Sequence, residues 1–145
     1  MPSTRRTFLG TLGAAALGGL SGCAGLGGGS GDPAMVTVEF GGSLDNERGV
    51  ELEVVADSAS DDLSDNVLFQ QAVTVGPDGL VDGDGEYVDA FEAQRALVRV
   101  SVGGVGVVGE YTFVPDCTGT TELDDVLHVS IHSPLDVSFR QNRCR

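Results

Sequence analysis

The chain has 145 residues, with 22 acidic side chains against eight basic ones, every one of them arginine, for a formal net charge of −14. Such a balance opposes nucleic acid and anionic membrane surfaces as partners, because both are polyanions. It leaves two readings of the acid excess: a surface for cations or a basic partner, and a solvated surface adapted to high salt, which the spread of carboxylates from Asp32 to Asp136 favours.

The chain opens on Thr4-Arg5-Arg6-Thr7-Phe8-Leu9. A mild apolar run from Phe8 to Leu20 follows, 13 residues with four glycines, and then Leu20-Ser21-Gly22-Cys23. A membrane-spanning helix needs about 20 predominantly apolar residues, so this run is too short and too weakly apolar to span. Paired arginines before it and small residues after it fit a cleaved export signal. The segment resembles a twin-arginine signal peptide carrying a lipobox. That resemblance implies that Arg5 and Arg6 are read by the export receptor, that residues 1–22 are removed, and that Cys23 carries lipid, holding the protein on the outer face of the cytoplasmic membrane. Resemblance to archaeal lipoproteins further implies a two-chain lipid, which suffices for stable anchoring where one chain does not.

Residues 23–34 continue the pattern as a Gly-rich tether, Ala-Gly-Leu-Gly-Gly-Gly-Ser-Gly-Asp-Pro-Ala after the cysteine, with nothing to pack a core. About 11 such residues reach about 17–20 Å, enough to hold a domain just clear of a surface. The globular part is then residues 35–145, one domain large enough for its own core. All 22 acids fall after the signal, where six arginines remain, so the processed chain carries a formal −16.

Within the domain, apolar residues alternate at period two. Val36, Val38 and Phe40 share one face; Val50, Leu52, Val54 and Ala56 share another, interleaved with Glu51 and Glu53; Val67, Phe69, Val73 and Val75 follow, interrupted by Gln71. Further strands are predicted over Tyr87–Ala93, where a short helical turn is the alternative, and over Ala96–Val102 with Val98, Val100 and Val102 inward. Val107–Val114 places Tyr111 and Phe113 inward, Val126–Ile131 follows, and Leu135–Gln141 places Leu135, Val137 and Phe139 inward. Gly41-Gly42, residues 58–66, Gly76-Pro77-Asp78-Gly79, Gly83–Gly85, Gly103-Gly104 and Ser133-Pro134 supply the turns. Seven to eight strands without a sustained helical period predict an all-β antiparallel sandwich ending in a C-terminal hairpin.

If Cys23 is lipidated, Cys117 and Cys144 remain as a pair in an oxidising compartment, where a structural disulfide is expected ahead of a catalytic or metal-binding thiol. The meander supports it: a strand ending near Val114, its neighbour over Val126–Ile131 and the last strand after a tight turn bring both cysteines to one end. The run from Ala96 through Gly103-Gly104 to Tyr111-Thr112-Phe113, followed by Val114-Pro115-Asp116-Cys117, resembles the immunoglobulin-like or fibronectin-like domains of exported haloarchaeal lipoproteins. The tryptophan and inter-sheet cysteine pair of antibody domains are missing, so the resemblance implies the general sandwich alone.

Candidate chemistry is sparse. His128 and His132 share the outward face of their strand with Ser130, but four residues of strand span about 13 Å, too far to chelate one ion. Cys117 precedes His128 by 11 residues with no methionine after Met35, which does not fit a blue copper site. Asp82-Gly83-Asp84-Gly85-Glu86 suggests a calcium loop, yet the places that need Gly and Glu hold Tyr87 and Ala93; an acidic solvated turn is the simpler reading of Asp78–Asp89, with a weak site of another kind as the alternative. No Gly-x-Ser-x-Gly elbow is present. The expected function is thus a lipid-anchored, non-enzymatic binding or structural module of a haloarchaeal envelope without metal or cofactor. The alternative is a solute-binding or accessory subunit of a membrane transporter or enzyme complex.

Overall fold

The computed structural model describes residues 32–57, 66–117 and 124–144. Arg5, Arg6, Cys23 and the tether up to Gly31 lie outside the described residues, as does most of the turn expected over residues 58–66. The chain divides into Met1–Gly31 and Asp32–Arg145, and every described element belongs to the second unit.

That unit is a β-sandwich of nine strands among the described residues: β1 (Met35–Gly42), β2 (Arg48–Ala56), β3 (Val67–Gly76), β4 (Gly79–Leu80), β5 (Glu86–Glu92), β6 (Ala96–Val102), β7 (Gly106–Phe113), β8 (Asp125–Ser133) and β9 (Asp136–Gln141). One sheet has the order β5-β1-β8-β9 and the other β4-β3-β2-β6-β7. Neighbours are antiparallel except β1 and β8, which run parallel from Val36 opposite Asp125 to Gly42 opposite Ile131. Consecutive strands β2 and β3 pair within one sheet.

Alternation explains the layers. Val36, Val38 and Phe40 of β1 and Leu127, Val129 and Ile131 of β8 turn inward from one sheet; Val50, Leu52 and Val54 of β2 and Val98, Val100 and Val102 of β6 meet them from the other. Fully burying side chains of this size stabilises by about 1.5–3 kcal/mol each, and β-branched residues fit the pleated surface. Phe91 and Phe113 meet edge-on across the core at 5.7 Å. Leu44, in the connection after β1, closes one end with its N–H donating to Gly76 O at 3.0 Å.

Several expectations are corrected. Leu135 is 75% exposed, because the reversal between β8 and β9 takes up Pro134 and Leu135 and the inward phase starts only at Val137. Val67 is exposed at the outer end of β3, where the β2 pairing shifts register between Val54 and Val55. The strand expected over Tyr87–Ala93 is borne out as β5, Glu86–Glu92, with Asp89 at φ 52° supplying the irregularity that blurs its pattern. The two-residue β4 has no counterpart in the sequence reading, being too short to show a period.

Candidate functional site

The parallel pairing of β1 with β8 assembles a polar row across the outer face of its sheet. Glu39 lies opposite Glu86 of β5 on one side and opposite His128 of β8 on the other, and His128 lies opposite Arg140 of β9. The inward packing of Val38, Phe40, Leu127 and Val129 forces these four residues outward. His128 Nδ1 stands 2.7 Å from Glu39 Oε2. A carboxylate oxygen accepts, so the bond runs from the Nδ1–H of His128 to Glu39.

Two open hollows flank this histidine. The first, about 390 Å³, is walled by Glu39, Gly41, Asp84, Gly85, Glu86, His128 and Ser130. The second, about 330 Å³, is walled by His128, Ser130, Arg140, Gln141 and Asn142. Backbone geometry sets the first: Phe40 N–H donates to Gly85 O at 2.8 Å, Gly85 has φ 78°, and a Cβ there would run into the Phe40 carbonyl. Only glycine fits so close an approach. Asp84 accepts the Glu86 N–H at 3.1 Å, which fixes the rim. Beside it, burial in the first place and the Asp84 charge in the second hold the Tyr87 phenol above its ordinary 10.0, with the ring 5.5 Å from that of Phe69. The row thus offers carboxylate acceptors at one end and a guanidinium donor at the other, a surface suited to hydrogen-bonding a polar ligand.

The other polar focus lies where both cysteines end. Asp125, the first residue of β8, is 1% exposed, and its carboxylate accepts the N–H of Asp116 at 3.1 Å, the N–H of Cys117 at 3.3 Å and Gln141 Nε2 at 3.4 Å. Gln141 Nε2 also donates to Val114 O at 2.6 Å. Asn142 extends the β8–β9 pairing, its Oδ1 taking the Val126 N–H at 2.6 Å and its Nδ2 donating to Asp124 O at 2.8 Å. These bonds place Cys117 and Cys144 with Cα atoms 4.9 Å apart, and the two form the disulfide.

The structure keeps His128 and His132 apart: His132 Nε2 meets Ser138 Oγ at 2.8 Å while His128 meets Glu39. Among the described residues, the one trio of possible metal ligands whose donor atoms converge is Asp116, Cys117 and Cys144, within 4.8 Å. Two of its three donors are disulfide sulfurs, which lack the thiolate charge that binds metal. Asp78, Asp82, Asp84 and Asp89 form no such group.

Sequence reasoning missed Asp125 and the Glu86-Glu39-His128-Arg140 row. A signal for Asp125 was present, since it shares the inward phase of Leu127, Val129 and Ile131. The row had none, because it depends on a parallel pairing between strands more than 80 residues apart. No family model matches the chain, and neither a curated protein nor a solved structure matches it.

Proposed function

We propose that the chain is a twin-arginine-exported lipoprotein of a haloarchaeal envelope, anchored through lipid on Cys23, whose immunoglobulin-like or fibronectin-like domain binds or braces other envelope components without doing chemistry itself. The observation that carries this reading is the Cys117–Cys144 bridge behind a leader of the form Arg5-Arg6 … Leu20-Ser21-Gly22-Cys23. Disulfides persist in oxidising compartments, and pairing these two leaves Cys23 as the odd cysteine at a lipid-attachment position. The point where the tether joins the domain agrees with an anchoring role. It feeds β1, an interior strand flanked by β5 and β8, so a pull on the tether is borne by strand pairing on both sides.

The hollows flanking His128 favour a second reading, a solute-binding or accessory subunit of a membrane complex. Changing Arg5 and Arg6 together to Lys tests the export route: the proposal expects unprocessed precursor inside the cell, and normal export of the variant would overturn it. Pull-down from intact cells in molar salt separates the two roles, since a co-purifying transporter or enzyme complex identifies the accessory subunit.

A further inference from the structure

The arginines of this chain are not engaged alike. Arg95 pairs with Asp57, Arg99 lies 3.0 Å from Glu110 and 3.9 Å from Glu53, and Arg48 donates to Gly103 O at 3.3 Å. Arg140 and Arg143 make no ion pair or hydrogen bond among the described residues, in a chain with 22 acids to offer them.

Both are exposed, and both wall the same hollow. It measures about 640 Å³ and lies on the open flank of the sandwich, where β7 at the end of one sheet meets β9 at the end of the other. Tyr111, Val114 and Phe139 give it an apolar side: the two rings stack at 5.5 Å, and Val114 is half exposed. Arg140, Arg143 and Asp116 bring the charge, two cations against one carboxylate, so this wall is net positive where the chain as a whole is strongly acidic. The Cys117–Cys144 bridge joins the neighbours of Asp116 and Arg143, which fixes those two sides of the hollow relative to each other.

The remaining polar groups of the wall are already engaged. Gln141 accepts the Tyr111 hydroxyl at 3.3 Å and donates to Val114 O; Asn142 takes the Val126 N–H and donates to Asp124 O; Asp116 Oδ1 takes the Cys144 N–H at 3.4 Å. What the hollow has left to offer is chiefly guanidinium donors beside an aromatic surface. A guanidinium fork matches the paired oxygens of a carboxylate or phosphate.

We infer that this hollow binds a small organic anion, a carboxylate or phosphate carried on an apolar or aromatic body, with Arg140 and Arg143 on the charge and Tyr111 and Phe139 against the body. The site meets the row through Glu39 and His128 only at Arg140, and the inference does not rest on export or anchoring. The acid excess turns away polyanions at long range, but in molar salt the screening length is about 3 Å and a small ligand meets the local charge alone.

NMR titration of the isotope-labelled, oxidised full chain in about 3 M KCl, with phenyl phosphate as the probe, tests it; Cys23→Ser keeps disulfide pairing to Cys117 and Cys144. The Arg140 and Arg143 Nε–H signals and the Tyr111 and Phe139 ring signals should move together along one saturable curve. Arg140→Gln with Arg143→Gln should weaken that binding at least about tenfold, while Arg48→Gln, which removes the same charge elsewhere, should leave it unchanged. Benzylamine, a similar ring carrying a cation, should not move these signals. No saturation by about 50 mM, the same curve from inorganic phosphate, which marks an adventitious ion only, or binding indifferent to the paired substitution overturns the inference. Should the paired variant not fold, Arg143→Gln alone, beyond the end of β9, should weaken binding at least about threefold.

Discussion

The buried carboxylate of Asp125 holds the backbone N–H of Cys117 at 3.3 Å, and through that bond the start of β8 decides where the segment after β7 can lie. Asp116 N–H and Gln141 Nε2 reach the same carboxylate, so one side chain gathers the residues before the first cysteine and the end of β9. A buried carboxyl group with three donors is a satisfied one.

Removing it exposes the dependence. Asp125→Ala leaves two backbone N–H groups without their acceptor, one of them in a buried residue, and should lower stability by about 2–3 kcal/mol. Asp125→Asn, which keeps one acceptor oxygen, should lose less. Denaturant unfolding of the oxidised proteins in molar salt measures both, and an Ala variant as stable as the parent would show that the carboxylate does not hold this end together.

The disulfide acts on the same end by another route. Cys117→Ser with Cys144→Ser opens a link across a sequence separation of 27, and the chain-entropy argument sets the loss at about 3 kcal/mol. The far-UV spectrum should stay that of a β-protein, since Val36, Val38, Val98, Val100, Leu127 and Val129 pack without either cysteine. Peptide mapping of exported wild type should recover one linked pair; free thiols at both positions would contradict the bridge.

Salt should stabilise the domain. Among the described residues, ion pairs with arginine engage Asp57, Glu53 and Glu110, which leaves most carboxylates to be screened by solvent ions. The melting temperature should rise steeply between about 0.1 M and about 3 M KCl, over which the screening length falls from about 10 Å to about 3 Å. A flat response would assign the acid excess to a specific cation or partner instead.

How far the sequence reaches is visible in particular residues. Val98, Val100 and Val102 alternate without a break, and all three are buried as their period demands. Leu135 follows the same rule on paper and fails it, because a hairpin reversal consumes residues that the period counts as strand. The disulfide was legible because cysteine parity and the direction of three consecutive strands are local facts. Pairing β1 with β8 is a long-range fact, and the row from Glu86 to Arg140 came with it. Asp125 stood between these cases: its phase marked it as inward, but its chemistry was hidden among 22 acids.

The central claim is anchoring through Cys23, and the intact mass of the membrane-bound protein tests it most directly. The account predicts a chain beginning at Cys23, with residues 1–22 gone and a two-chain lipid on the sulfur, and a Cys23→Ser variant without that lipid mass. An unmodified Cys23 in the wild type, or the same lipid mass on the variant, would contradict it.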